Sequence, residues 1–304
     1  MSDSNVNVPT QGTVLERSCV LVKLHRHKFN HNATDKELGK RFRKELKVKG
    51  LNALRVQKTI IPKTAIAGWN KVLNEAGKYF YGVTIPWDDK AYRLLPVVKY
   101  KEFVNKFREF QSRFTSEVDD FIAHLDEHII AGKKDLGLAA NDNDYIDKKA
   151  ARDEFLLKVE YDVLKSGNDF RAQVTDEERA EIANVMEEQA KVKFAKAQES
   201  VFHRVYTVAA KLNEKMLEMP PKGKETPEFR DTIIGNIQDL VDILPSLNVA
   251  SNPDLDLLKD TLENSLGTLD PQDLRECDRL REDTAKKAKE IMDKAAAFMP
   301  SIDA

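Results

Sequence analysis

Residues His124-Leu125-Asp126-Glu127-His128 fit H-x-x-E-H, the inverted form of a zinc-peptidase signature. Histidines four apart share a helix face and can hold one zinc ion as neutral imidazoles. The glutamate then takes a proton from bound water, and a third ligand comes from elsewhere. Three features weigh against this chemistry. His124 continues the register of Phe103 and Phe110, and His128 that of Phe107, Phe114 and Phe121, so both extend the seam of a phenylalanine-striped helix. Glu187 and Glu199 lie downstream, but any acidic helix supplies such groups. A pattern with three fixed positions also recurs by chance in a chain this rich in Glu. The expectation is a structural role, with a zinc metallopeptidase as the remote alternative.

A second metal-like group is His25, His27 and His31, in LHRHKFNH. No cysteine or carboxylate but Asp35 stands at a supporting spacing, so it reads as a polar strand face leading into a loop. There is no G-x-x-x-x-G-K-[ST] or G-x-G-x-x-G phosphate loop and no G-x-S-x-G nucleophile elbow. Cys19 sits among alternating apolar residues and Cys277 on an apolar helix face, so both are expected in the core. No catalytic residue, metal or cofactor is assigned.

The remaining chemistry is charge. Lys40, Arg41, Arg43, Lys44, Lys47 and Lys49 crowd one short helix and its exit, followed by Trp69, Tyr79, Phe80, Tyr81 and Trp87. Basic groups beside exposed aromatics can hold single-stranded nucleic acid through phosphates and stacked bases. The same surface can receive an acidic protein. The bland reading gives the helix a buried side through Phe42 and Leu46, with its basic residues merely solvated, and sends Trp69 and Phe80 to a small core.

These groups belong to a chain of 304 residues with a net charge of −2, which by itself suggests no polyanionic partner. Its distribution is uneven. Residues 1–110 carry 22 Lys/Arg against 10 Asp/Glu, and residues 111–304 carry 27 against 41. A basic first part and an acidic remainder imply different partners, or contact between the two. The two cysteines form no disulfide framework, no apolar run is long enough to span a membrane, and the polar N-terminus lacks a signal-peptide core. The expected address is cytoplasmic.

Periodicity places the elements. Residues 1–13 read as a disordered tail. TVLERSCVLVKLHRHKF reads as a strand, with Thr34 or Asp35 capping the basic helix behind it. LNALRVQKTIIP suggests a second strand ending at Pro62, TAIAGWNKVLNEAGKYF a helix, and AYRLLPVV an edge strand limited by Pro96. Phe103, Phe107, Phe110, Phe114, Val118, Phe121 and Leu125 mark one long helix, and Phe155, Val159 and Val163 mark another over 144–165. Thr175 and Glu178 form a capping box opening a helix that runs to Met219, roughly 65 Å at 1.5 Å per residue. This helix is expected to pair with the phenylalanine-striped one as an antiparallel coiled-coil arm. After PPKGKETP come three helices: one from Phe229, one from Pro253, and one opened by the cap-and-proline pair Asp270-Pro271, in which Arg281 fills a gap in the apolar stripe.

The run FRDTIIGNIQDLVDILPSLNVASNPDLDLLKDTL, then LDPQDLRECDRLREDTAKKAKEIM, and the earlier IIPKTAIAGWNKVLNEAGKYFYGVTIP, together resemble a helical family of phage and prophage proteins known as a domain of unknown function. The residues carrying the likeness are Pro62, Gly77, Phe80, Gly82, Pro86, Asn236, Leu247, Asn248, Pro253, Asp270, Leu274, Arg275 and Arg279. They are caps, turns and core positions. The resemblance implies a phage-encoded protein without an assigned activity, often encoded beside a MoxR-like AAA ATPase, and hence an adaptor or substrate of that ATPase. It carries over no functional residue.

The sequence therefore predicts a mainly α protein: a small basic α/β lobe (14–98), an antiparallel helical arm (99–219) and a C-terminal helical bundle (220–304). It is expected to be a non-enzymatic interaction protein of phage type, a homo-oligomeric adaptor or subunit of a larger assembly in the host bacterial cytoplasm. The alternative is a nucleic-acid-binding accessory protein using the basic lobe.

Overall fold

The computed structural model describes residues 15, 17–50, 52–88, 91–164, 175–218 and 232–299. It is mostly helical, with a small antiparallel sheet. Among the described residues no helix is long and apolar enough to cross a membrane. The expected N-terminal tail and the PPKGKETP break lie outside the described residues.

The chain divides into two compact units, and the division differs from the expected lobe, arm and bundle. One unit comprises 24–80 and 102–160; the other comprises 1–23, 81–101 and 161–304. We call them the aromatic unit and the helical unit.

In the aromatic unit, β2 (Asn32–Thr34) pairs antiparallel with β3 (Gln57–Thr59), Ala33 opposite Lys58. Between them lies the basic helix α1 (Lys36–Glu45), capped by Asp35 as expected. The long helices are α2 (Ala67–Val83), α3 (Tyr100–Ala123) and α4 (Leu125–Leu136), of which α2 and α3 also enter the helical unit. The phenylalanine stripe is buried as its spacing demands, and its partners are aromatic residues of the same unit. Phe103 and Phe107 meet Phe80, Phe110 meets Tyr79, and Phe121 meets Phe29 and Trp69. Trp69 and Phe80 are each 1% exposed, which places them in the core as expected. Gly132 on α4 is buried because the Ile60 carbonyl passes over it: a Cβ there would stand 1.9 Å from that oxygen.

Two expected helices differ. The helix read over 99–131 breaks at His124, which separates α3 from α4. The helix read over 144–165 is a short α5 (Lys148–Asp153) followed by a strand, β6 (Leu156–Asp162). In β6 the buried positions are Leu157 and Val159, two apart, while Leu156 and Tyr161 face outward. The spacing of Phe155, Val159 and Val163 suits a helix equally, and pairing with a neighbouring strand decides between them.

In the helical unit, the first part of β1 (Cys19–His27) pairs antiparallel with β5 (Arg93–Pro96), which pairs in turn with the two-residue β4 (Ile85–Pro86). With β6 beyond β1, the order is β4-β5-β1-β6, so β5 is an inner strand and not the expected edge. Pro96 is tolerated because it is the last residue of the strand. The unit is dominated by α6 (Asp176–Glu218), α7 (Thr232–Leu247), α8 (Pro253–Leu262), α9 (Pro271–Glu276) and α10 (Asp278–Ala296). The capping box at its start is formed: the Glu178 N–H donates to Thr175 Oγ1 at 3.2 Å, and Glu178 Oε2 accepts from the Thr175 N–H at 2.8 Å. The Thr175 N–H, and then the Thr175 hydroxyl at 3.0 Å, hold the Glu178 carboxyl below its usual range.

The main packing partner of α6 is α10, with α7 beside it, rather than the phenylalanine-striped α3. Phe194, Val201, Val205 and Leu212 close on Ile237, Leu244, Ala288 and Ile291 in one core. From Glu177 to Lys193, by contrast, α6 buries no side chain. Arg281 does sit in the apolar stripe of α10, 4% exposed, where its guanidinium donates to the Leu274 and Arg275 carbonyls at the end of α9 and pairs with Asp278.

The cysteines part company. Cys19 is 4% exposed, and burial pushes its thiol up to about 12. Cys277 is exposed, against expectation, because an extended residue there divides α9 from α10. At pH 8 a water-soluble thiol reagent is expected to label Cys277 rapidly and Cys19 only on unfolding. Two fast equivalents per native chain would contradict this placement.

Candidate functional site

Asp35 builds the candidate site from its N-cap position. Its Oδ1 accepts the Leu38 N–H at 2.8 Å, and its Oδ2 lies 3.0 Å from Lys58 Nζ. Glu37 in the first turn of α1 and Arg43 and Lys44 in the last complement the helix dipole. Beyond the C-cap Leu46, Lys47 takes φ +53° and the Val48 N–H returns to the Arg43 carbonyl at 2.8 Å.

The expected buried side of α1 is not there. Only Gly39 is buried in this helix; Phe42 is 37% and Leu46 65% exposed. A ten-residue helix between short strands has little to lie on, so its apolar pair stays in solvent. Arg43 is the exception among the basic residues. Its Nη1 donates to the Leu54 carbonyl at 2.7 Å, pinning α1 to the following segment. Lys40 pairs with Glu37 at 2.8 Å, a contact of little strength at an exposed position. Arg41 lies over the Phe42 ring at 5.8 Å. Lys44, Lys47 and Lys49 are exposed and meet no carboxylate among the described residues.

A cleft of about 1280 Å³ runs beside this helix, lined by Lys40, Arg41 and Lys44 on one side and by Leu138 to Asn143 on the other. Gly137, at φ +52°, turns the chain there and leaves Leu138 fully exposed. The floor is Lys58, 6% exposed, with Nζ 3.0 Å from Asp35 Oδ2, 2.7 Å from Asp144 Oδ2 and 3.0 Å from the Ala139 carbonyl. The bond to Asp144 and then that to Asp35 hold the Lys58 ammonium above its usual value despite burial. The Leu38 N–H, then Lys58, hold Asp35 below the usual carboxylate range. Nothing in the sequence marks Lys58 and Asp144 as partners; only their proximity in the fold connects them.

The aromatics expected beside the basic helix do not join it. Trp69, Tyr79 and Phe80 belong to the aromatic core. Tyr81 and Trp87 lie in the helical unit, under Arg93 and Lys193 respectively. The histidine groups are likewise dispersed. His124 Nδ1 contacts the Asp120 carbonyl at 2.9 Å, a bond that raises its pKa, whereas His128 stacks on Phe121 at 5.5 Å and is held down by burial. His25 meets Glu160 at 2.6 Å, His27 the Glu154 carbonyl at 3.2 Å, and His31 the Asn32 amide at 3.2 Å. Among the described residues, no three His, Cys, Asp or Glu side chains lie together as a metal-binding group.

What the arrangement offers is a basic helix with an exposed apolar pair and, beside it, a cleft whose floor is a lysine neutralised by two carboxylates. The chain matches no family model, no curated protein and no solved structure.

Proposed function

We propose that the chain is a non-enzymatic interaction protein, an adaptor or subunit of a larger assembly, and that α1 is the face it offers to an acidic protein partner. The observation that carries this reading is the exposure of Phe42 and Leu46, one helical turn apart, among Lys40, Arg41, Lys44, Lys47 and Lys49. An apolar pair gains by being covered, and its cationic rim selects and steers an acidic surface. The resemblance to phage proteins supplies the candidate: a MoxR-like AAA ATPase whose docking surface would then carry carboxylates around an apolar patch, in the cytoplasm of the host. The bare first half of α6, with Val185 and Val192 seven residues apart and 51% and 57% exposed, supports homo-oligomers formed through a second copy of the same helix. The second reading is nucleic-acid binding by the same face, favoured by Phe42 beneath Arg41 as a stacking platform.

The test is light scattering and fluorescence anisotropy with an amphipathic Glu/Leu peptide, a single-stranded and a duplex DNA oligonucleotide. Binding of the peptide, weakened at least tenfold in Arg41→Glu/Lys44→Glu, supports the first reading. Arg43 is left in place because it holds Leu54. DNA affinity that falls linearly with salt on logarithmic axes, without peptide binding, moves the assignment to the second. A monomer that binds none of them sinks both.

A further inference from the structure

Two arginines of the helical unit converge on one peptide group, and among the described residues no carboxylate pairs with either. Arg93, first residue of β5, donates from Nε to Thr84 Oγ1 at 2.7 Å and from Nη2 to the Thr84 carbonyl at 2.9 Å. Arg204, midway along α6, donates from Nη1 to the Gly82 carbonyl at 2.6 Å and from Nη2 to the same Thr84 carbonyl. Thr84 is fully buried and both guanidiniums are partly so. Among the described residues neither meets an Asp or Glu.

The local groups do not balance this charge. The Gly82 and Thr84 carbonyls stand at the C-terminal end of α2, whose dipole offers about half an elementary charge. The Tyr81 ring lies under Arg93 at 5.1 Å and adds a modest cation–π term. Together they offset only part of the two guanidinium charges. Burial first, and then Arg204, hold Arg93 down to about 10, and burial lowers Arg204. Each guanidinium carries five N–H groups, and among the described residues it spends two on these carbonyl and hydroxyl oxygens, leaving three on each. Partly buried, like-charged neighbours with spare donors are stabilised by an anion that accepts from both.

We propose that Arg93 and Arg204 form a binding site for an oxyanion, a phosphate or carboxylate group with two or more acceptor oxygens bridging the two guanidiniums. This site is independent of α1 and does not rest on the reading of that helix. The capping of α2 explains why the two side chains reach Thr84; a bridging anion would offset the repulsion between them.

The test is an NMR titration of the full chain, following the arginine Nε–H signals at constant ionic strength, first with inorganic phosphate and then with glutarate. Saturable shifts of Arg93 and Arg204 with either anion are expected, and which anion does so identifies the group. Calorimetric affinity for that anion should fall at least tenfold in Arg93→Gln and in Arg204→Gln. Absence of a saturable shift with both anions in the wild-type chain overturns the site whether or not the variants fold. Unchanged affinity in a folded Arg93→Gln overturns it equally.

Discussion

Replacing Lys58 with methionine is expected to destabilise the aromatic unit by about 3–5 kcal/mol. Methionine fills much the same volume but supplies no charge and no donor. Asp35 and Asp144 would then face each other across the vacated ammonium, and the Ala139 carbonyl would lose its partner. The cost comes from uncompensated burial more than from a lost attraction, so Asp35→Asn and Asp144→Asn added to Lys58→Met should return part of it. The pH dependence follows from the directions of the shifts. Asp35 is held below its ordinary 3.8, so its contribution is complete above that value and fades as the pH falls through the lower, folded value. Lys58 is held above its ordinary 10.5, so its contribution is complete below that value and fades only above it. Between about pH 4 and 10 the network is intact and the variant suffers its full penalty, which shrinks on acidification as Asp35 protonates. Urea unfolding at pH 7 and at pH 3 measures both effects. A loss below about 1 kcal/mol at pH 7 would mean that water reaches the Lys58 site and screens it.

The second large effect is at Trp69. Truncation to alanine should cost about 3–5 kcal/mol, because the indole is fully enclosed and the surrounding rings can relax only in part. Its ring meets Phe155 edge-on at 5.3 Å and Phe121 edge-on at 6.1 Å, and those two rings contact Phe29. Removing the indole therefore empties the middle of a cluster rather than its margin. Trp69 Nε1 has no hydrogen-bond partner among the described residues, so Trp69→Phe loses packing volume without orphaning an acceptor and should cost less than half as much. Equal penalties for the two substitutions, read from denaturation midpoints, would show that the N–H matters after all.

The sequence announced those features that local chemistry decides. Asp35, the Thr175–Glu178 pair and Asp270-Pro271 cap helices because a side-chain oxygen and a free N–H lie within a few residues of each other. The phenylalanine stripe and the second half of α6 are buried because their period leaves no other use for so many apolar groups. What the sequence concealed was partnership. The stripe of α3 and that of α6 look like complementary halves of a coiled coil, yet each closes on different helices. Phe42 and Leu46 have the spacing of a buried face, but both stay exposed. The site residues were legible as a basic helix, whereas the separate task of Arg43 was not, since it depends on where the Leu54 carbonyl falls. The arginine pair was the least legible feature of all: Arg204 and Thr84 are 120 positions apart.

The division of the chain also sets an order of assembly on the ribosome. The aromatic unit is complete once residue 160 has been made. The helical unit has by then received only 1–23 and 81–101, whose Leu21, Ile85 and Leu94 are covered in the finished protein by residues beyond 190. During elongation at about 5–20 residues per second, these strands wait several seconds for their cover. A nascent chain stalled before α6 would thus carry one finished unit and one uncovered apolar sheet, the kind of surface that holding chaperones recognise.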